Sequence, residues 1–264
     1  MKTSNEPVIE VHDLTVSYDK KPVLWDVDFS IPQGVLCGIL GPNGSGKSTL
    51  LKSIMGLLPA DSGFVKIYGN QLDKVRRKVA YVPQRESVDW DFPASVLDVV
   101  LMGMYAQRPF YKRISKSDKT WAMHCLEKVN MQDFHSRQIA QLSGGQQQRV
   151  FIARALAQNA ELYLMDEPFA GVDATTEKSI MDLLESMKAD GKTIIVVHHD
   201  LQTVKNYFDY LVFMNTRLVS SGYTKDVFKQ DVLEETYGGQ LSILSQVLNI
   251  LKESEIGRKE HQKL

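Results

Sequence analysis

The stretch that decides the fold is Gly41-Pro42-Asn43-Gly44-Ser45-Gly46-Lys47-Ser48-Thr49. It matches the pattern G-x-x-x-x-G-K-[ST], in which glycines let backbone N–H groups converge on phosphate oxygens. Before it, an apolar run over 35–40 predicts a strand buried on both faces, and a helix is predicted after it over 49–58. That helix would direct the positive end of its dipole at the same anion. We therefore predict a nucleoside-triphosphate site, in which Lys47 reaches the β- and γ-phosphates and the Ser48 hydroxyl binds Mg²⁺.

The composition is that of an ordinary globular protein. The chain has 264 residues, 43% hydrophobic and 24% charged, and its 31 Lys and Arg against 32 Asp and Glu give a net charge of −1. These values exclude a disordered or fibrous chain and give no overall attraction to nucleic acid. Residues 1–7 lack the apolar core of a signal peptide, and no apolar run approaches the roughly 20 residues of a membrane helix. With two distant cysteines, Cys37 and Cys125, we expect a soluble cytosolic protein with buried thiols in a reducing compartment.

Hydrophobic periodicity predicts an α/β chain that is interrupted by a helical segment. Strands are predicted at 8–18, 23–31, 64–68, 79–82, 161–165, 193–197 and 210–214. Between about 85 and 141 helical periodicity dominates, with helices predicted at 94–105 and 117–129. Strands that alternate with helices predict a parallel sheet, and the interruption predicts a helical lobe inserted between its strands.

Two carboxylates, Asp166 and Glu167, end the predicted strand over 161–165. A strand carboxylate beside a phosphate loop holds Mg²⁺, which suits Asp166, and Glu167 can polarise the attacking water as a general base. Alone, a strand that ends in Asp-Glu is about as often a solvated strand end. Together with the phosphate loop, the pair predicts a hydrolytic site.

A second glycine-rich helix start reads Leu142-Ser143-Gly144-Gly145-Gln146. The free backbone N–H groups at the start of this helix make it a second anion-binding site. One nucleotide has a single γ-phosphate, which the first loop already holds. The simplest interpretation is that the second anion-binding site contacts a nucleotide bound by another copy of the chain.

In these motifs and their order, residues 8–235 resemble the ATP-binding subunits of ABC transporters. The resemblance implies an α/β fold of the P-loop NTPase (RecA-like) class, with an antiparallel β subdomain and an inserted helical subdomain at about 85–141. It implies a single ATPase domain over 1–239, followed by a helical, charged tail over 240–264.

The resemblance also implies a role for each motif. Gly41–Thr49 corresponds to the Walker A loop and 142–146 to the signature motif, both of which contact ATP. The remaining roles fall on single residues: Tyr18 stacks on adenine, Gln84 contacts Mg²⁺ and water, Asp166 binds Mg²⁺, Glu167 is the catalytic carboxylate, Asp173 belongs to the D-loop and His199 is the switch histidine.

Some of these positions have a simpler interpretation. The alternative interpretation of Tyr18 is an aromatic residue at the end of a strand, and that of Gln84 is a solvated residue in a turn. His198 and His199 are consecutive, so only one can face the nucleotide; His199 matches the family pattern, and His198 is expected to be buried. The D-loop sequence Ala170-Gly-Val-Asp173 departs from the Ser-Ala-Leu-Asp-like run of many relatives, which leaves the fine contacts of that loop open.

Residues 81–105 resemble most closely the importers of manganese, zinc and ferrous iron, and among them the manganese type. In ABC ATPases this region receives a coupling helix of the membrane permease, so we expect the permease to contact 85–105. The anchors would be aromatic and thioether side chains, with the alternative that about half of them pack the lobe's own core. They are Trp90, Phe92, Met102, Met104 and Tyr105.

The resemblance implies a head-to-tail dimer with two ATP molecules, at the cytoplasmic face of the membrane, served indirectly by a metal-binding lipoprotein. No nucleic-acid partner is expected, since ABC proteins of ribosomes or DNA usually carry two cassettes or long coiled-coil insertions. An ABC transporter for a non-metal substrate remains the alternative. The scattered histidines are expected to be surface or capping residues, and the transported metal is expected to bind partner subunits. They are His12, His124, His135 and His261.

Overall fold

The computed structural model describes residues 7–105 and 113–238, so the predicted tail over 240–264 lies outside the described residues. The strands are β1 Pro7–Tyr18, β2 Lys21–Pro32, β3 Leu36–Leu40, β4 Ser62–Ile67, β5 Val79–Val82, β6 Leu162–Asp166, β7 Thr193–Val197, β8 Tyr210–Asn215 and β9 Arg217–Tyr223. The helices are α1 Lys47–Ile54, α2 Leu72–Val75, α3 Val96–Met102, α4 Lys116–Lys128, α5 Gly144–Ala157, α6 Ala174–Ala189, α7 Val204–Tyr207, α8 Thr224–Val227 and α9 Gln230–Tyr237. None of the helices in these ranges is long and apolar enough to cross a membrane.

The central sheet has the strand order β5-β6-β7-β3-β8-β9. All neighbouring pairs are parallel except β8 and β9, which are antiparallel. Every residue of β3, β6 and β7 is buried, because a mainly parallel sheet is covered on both faces and its strands are apolar throughout. The predicted α/β fold of the P-loop NTPase class is confirmed, with β3 in the middle of the sheet.

A second sheet, antiparallel, has the order β2-β1-β4. Its inward side chains share one apolar core with α1, as Leu14, Leu24, Leu50 and Ile54 illustrate. Alternation of buried and exposed residues along β2 leaves one face of the sheet outside the core. This sheet therefore covers the helix that begins at the phosphate loop.

The described residues between β5 and β6 contain α3 and α4, which pack against α5, and no strand. Each of these three helices begins with a capping box, in which a serine hydroxyl accepts from a backbone N–H and the N3 side chain accepts in return. The capping pairs are Ser95 with Asp98, Ser115 with Asp118, and Ser143 with Gln146. The helical character predicted for 94–105 and 117–129 is confirmed.

Two elements differ from the sequence prediction. The helix predicted over 49–58 begins at Lys47, and it ends at Ile54 because Gly56 adopts a φ of +63°. The edge strand β9 was not predicted; it follows a tight turn in which Thr216 has a φ of +65°. Cys37 and Cys125 are both buried free thiols, as predicted.

Candidate nucleotide site

A cleft of about 380 Å³ lies at the carboxyl end of β3. Its lining comes from the phosphate loop, from β2 and from the ends of β5 and β6. The lining residues are Val23, Asn43, Gly44, Gly46, Lys47, Ser48, Thr49, Gln84 and Glu167. Val23 is the one that sequence reasoning missed, because an apolar strand residue carries no signal for a ligand.

Glycine is required at three positions of the loop. Gly44 and Gly46 have φ values of +80° and +95°, which a side chain would strain. A Cβ atom on Gly46 would also lie 2.6 Å from the Leu24 side chain, and one on Gly41 would lie 2.1 Å from the Met214 carbonyl oxygen. The backbone of the loop is therefore packed closely against the Leu24 side chain on one side and the Met214 carbonyl on the other.

Lys47 lies folded back along the loop with 6% of its surface exposed. Its Nζ donates to the carbonyl oxygens of Gly41, at 2.9 Å, and Pro42, at 2.8 Å. Burial lowers the pKa of this amine, and the nearby carboxylates of Glu167 and Asp166 act in the opposite direction. The carbonyl oxygens of Gly41 and Pro42 thus hold the ammonium group of Lys47 at the wall of the cleft.

Asp166, the last residue of β6, is completely buried. Its Oδ1 accepts a hydrogen bond from Ser48 Oγ at 2.9 Å, whereas Oδ2 has no hydrogen-bond partner within the described ranges. Burial raises the pKa of this carboxyl, and the Ser48 hydrogen bond lowers it in part. A hydroxyl beside a carboxylate oxygen without a partner is a hard oxygen donor set, so these residues fit Mg²⁺.

Glu167 and Gln84 meet at the rim of the cleft. Glu167 has a φ of +49°, a left-handed conformation uncommon for glutamate that marks a strained turn after β6. Its Oε2 lies 3.5 Å from Gln84 Nε2, which donates from just beyond the end of β5. The structure thus brings together the residues that the sequence assigned to magnesium and to the attacking water.

Tyr18 lies at the end of β1 with 45% of its surface exposed. The turn that follows it is formed by Asp19 and Lys20, both with positive φ. Among the described residues, Tyr18 is not part of the cleft lining. It is an exposed aromatic ring one hairpin away from Val23, which does line the cleft.

The second glycine-rich segment starts α5 away from the cleft. Ser143 is exposed and caps the helix, where its N–H donates to Gln146 Oε1 at 2.9 Å. A Cβ atom on Gly145 would lie 3.1 Å from the Gly171 carbonyl oxygen. Of the described residues that line the cleft, none belongs to 142–146.

Asp173 caps α6. Its carboxylate accepts from the Thr176 backbone N–H at 3.0 Å and from the Thr176 hydroxyl at 2.7 Å. These hydrogen bonds to the ionised form hold the pKa of Asp173 below its usual value. This contact fixes the end of the loop that runs from Glu167 to α6.

The two consecutive histidines after β7 have opposite environments. His198 is 2% exposed, its Nε2 lies 2.9 Å from Thr203 Oγ1, and burial lowers its pKa to about 4. His199 is exposed. Only His199 is therefore available to a ligand from outside the fold.

Comparison with known proteins agrees with this geometry. Residues 24–170 match the family model described as ABC transporter. The chain belongs to the ABC transporter family. As a cassette of this family it binds ATP and is an ATP-hydrolysing transporter subunit.

Two curated relatives of this cassette are equally similar to it. It is 56% identical to the manganese transport system ATP-binding protein MntB of Bacillus subtilis, over 89% of this chain and 94% of the relative. It is also 56% identical to the zinc transport system ATP-binding protein TroB of Treponema pallidum, over 89% of this chain and 88% of the relative.

Solved structures of ABC proteins share the fold of the cassette. One is an ABC transporter in an inward-facing conformation, with a TM-score of 0.76 and 26% identity over 88% of this chain and 89% of that one. Another is a dimeric ATP-binding cassette in a post-hydrolysis state bound to ADP and Pi. It has a TM-score of 0.73 and 30% identity over 81% of this chain and 98% of that one.

Proposed function

We propose that this cassette is the ATPase of an importer for a divalent metal ion, with Mn²⁺ as the first candidate and Zn²⁺ or Fe²⁺ as the others. The observation that carries the proposal is the 56% identity to both a manganese and a zinc transport protein. A transporter for a non-metal substrate is the alternative. The cassette would act at the cytoplasmic face of the membrane, where it would bind a permease directly and serve a metal-binding lipoprotein indirectly.

The cleft suggests how the chain binds its substrate. The backbone N–H groups of the phosphate loop and the dipole of α1 bind the phosphates of ATP, and Tyr18 stacks on the adenine. Lys47 exchanges its bonds to the Gly41 and Pro42 carbonyls for phosphate oxygens, which keeps the buried ammonium paired. Ser48, Gln84 and Asp166 would hold Mg²⁺, which neutralises charge on the β- and γ-phosphates when it is bound.

Glu167 is proposed to be the general base. Its carboxylate takes a proton from the water that attacks the γ-phosphorus, while Gln84, 3.5 Å away, keeps it oriented toward the cleft. His199 would contact the γ-phosphate from the end of β7, and Asp173 would contact the neighbouring copy. The left-handed backbone of Glu167 supports this assignment, since such strain is concentrated at functional sites.

The second half of each site is proposed to come from another copy. Ser143 is exposed at the N-terminus of α5, where Gly144, Gly145 and Gln146 supply backbone N–H groups to an anion. In a head-to-tail dimer these groups would reach the ATP held by the partner's phosphate loop. The dimeric relative bound to ADP and Pi supports this arrangement.

The permease is proposed to contact 85–105. Phe92 and Tyr105 are 49% and 57% exposed, whereas Trp90 packs its ring against Phe151 at 4.8 Å. Beside Met104 lies a groove of about 440 Å³, bordered by Trp121 and by basic side chains that precede β5. Exposed aromatic rings and a groove bordered by Met104 and Trp121 are features that suit a helix-in-groove contact.

The ATPase part of the proposal is tested with Glu167→Gln. We expect this variant to bind ATP, to lose at least about 100-fold in hydrolysis, and to form a stable dimer with Mg-ATP in size-exclusion chromatography. Glu161→Gln, at the opposite end of β6, is the matched control and should hydrolyse normally. Hydrolysis by Glu167→Gln at the normal rate would show that the base is elsewhere.

The metal part is tested on the cassette assembled with its permease. We expect ATP hydrolysis to be stimulated by the binding protein loaded with Mn²⁺, Zn²⁺ or Fe²⁺, and not by its metal-free form. Equal rates with all loaded and metal-free forms would remove the metal assignment and leave the ATPase assignment intact.

A further inference from the structure

Arg85 directly follows Gln84 and begins a short helical turn, Arg85–Ser87. Its Nε donates to Gln147 Oε1 at 3.1 Å. Gln147 belongs to the first turns of α5, is 4% exposed, and donates from Nε2 to the Ile139 carbonyl oxygen at 3.2 Å. A residue next to the cleft is therefore bonded to the helix that presents residues 143–146.

The guanidinium also touches the start of α5 itself. A Cβ atom on Gly144 would lie 2.9 Å from Arg85 Nε and 3.0 Å from Arg85 Cζ. The guanidinium of Arg85 therefore lies directly against the first residue of α5. Trp90 holds the other side of Arg85: its Nε1 donates to the Arg85 carbonyl oxygen at 2.9 Å, and its ring centre lies 6.0 Å from the guanidinium.

The guanidinium of Arg85 lies where the dipole of α5 acts on a cation. The N-terminus of a helix carries a partial positive charge, so a guanidinium against the first turn of α5 is repelled by the helix dipole. The same charge raises the positive potential at residues 143–146 and so favours a phosphate that approaches from outside. The interaction of the guanidinium with the dipole of α5 is thus unfavourable in the isolated chain, and an anion that binds at this helix offsets it.

We propose that Arg85 is a positioning residue that couples the two ATP sites of the dimer. The contacts run from Glu167 through Gln84 to Arg85, and from Arg85 to Gln147 and Gly144 at the start of α5. A change at Gln84 in one site is thereby passed to the helix end that the same chain presents to the other site. This inference rests on the proposed two-copy site.

The test measures ATP-dependent dimerisation of the full chain in the Glu167→Gln background. We expect Arg85→Ala to raise the dimer dissociation constant about tenfold, because the start of α5 loses both its contact with Arg85 and the positive potential that favours the partner's phosphate. The affinity of the monomer for ATP, measured at low protein concentration, should change less than about twofold because the phosphate loop is untouched. Gln147→Leu should weaken dimerisation similarly, and the double variant should be no worse than either single variant.

Two further variants keep the test specific. Arg137→Ala removes an exposed arginine that lies over Phe134 in the same helical segment, and it should leave dimerisation unchanged. Arg85→Lys keeps the charge but not the planar donor group, and should recover part of the loss.

The outcomes separate the two proposals. If Glu167→Gln forms no dimer with ATP, the two-copy site is wrong and the role of Arg85 is wrong with it. If this parent dimerises and Arg85→Ala dimerises equally well, the two-copy site stands and the coupling role is overturned. Additive effects of Arg85→Ala and Gln147→Leu would likewise overturn the coupling through their contact.

Discussion

Replacement of Asp166 by asparagine should stabilise the nucleotide-free chain while it abolishes hydrolysis. The carboxylate is completely buried, and within the described ranges its Oδ2 has no hydrogen-bond partner. Asparagine has the same shape, and its Oδ1 can still accept the hydrogen bond from Ser48. The change therefore removes a buried charge and leaves the packing of β6 intact.

The magnitude follows from two opposing contributions. Burial of an ionised carboxylate costs several kcal/mol after relaxation, and the cations of Lys47 and Lys52 recover part of that cost. The amide that replaces Oδ2 is itself buried without a partner, at a cost of about 1–3 kcal/mol. We expect a net gain of about 1–2 kcal/mol, and each kcal/mol raises the melting temperature of a chain of this size by about 2–4 °C.

The assay is thermal unfolding of Asp166→Asn and the unmodified chain, first with a chelator and then with Mg-ATP. The variant should melt higher with the chelator. Only the unmodified chain should gain its full stabilisation from Mg-ATP, because a ligand at free concentration L stabilises by RT ln(1 + L/Kd) and the variant binds Mg-ATP more weakly. Glu167→Gln is the neighbouring control and should shift the chelator melt by less than about 0.5 kcal/mol. A variant that melts below the unmodified chain with the chelator would refute the reasoning about the buried charge.

Three other changes probe separate parts of the molecule. Lys47→Ala should weaken ATP binding at least about 100-fold, since the loop loses its cation; micromolar affinity in calorimetry would contradict the assignment of the loop. Gly103→Ala should destabilise the chain by about 1–3 kcal/mol in thermal unfolding, because the added methyl would lie 2.0 Å from the Arg154 carbonyl oxygen and force α3 from α5. His198 has a pKa lowered to about 4, so the unfolded chain binds the proton more readily and stability should fall as pH drops from about 6.5 to about 4. In urea unfolding at several pH values, His198→Asn should remove this dependence, and His199→Gln should reduce it only in part, since burial is the larger cause of the lowered pKa and the charge of His199 the smaller one.

The sequence predicted the elements whose patterns are local. The loop from Gly41 to Thr49 and the buried strand before it could be identified because close phosphate binding demands glycine and a central parallel strand demands apolar residues. The predicted end of α1 is four residues beyond the observed end, since apolar periodicity continues to Leu58 while the backbone of Gly56 already leaves the helix. Strand β9 shows no alternation of apolar and polar residues from which a strand could be predicted, because Ser220, Ser221 and Gly222 on this edge strand have little apolar character.

In the candidate site, too, some contacts could be predicted from the sequence and others could not. Ser48 and Asp166 could be placed together, since both follow buried strands whose carboxyl ends share an edge of the sheet. The contact of Arg85 with Gln147 could not be predicted, because it depends on how the short turn after Gln84 packs against α5. The hydrogen bonds from Lys47 to the carbonyl oxygens of Gly41 and Pro42 could not be predicted either, since they depend on the direction in which these carbonyls point.

The phosphate loop takes its shape from residues that are far apart in the chain. Leu24 packs on Gly46, the Met214 carbonyl closes on Gly41, and the Thr216 backbone N–H donates to the Ser45 carbonyl oxygen at 3.0 Å. The loop is therefore supported by segments that precede it and by a segment about 170 residues after it. We expect a chain truncated before Met214 to lack this support and to bind ATP more weakly than the full chain.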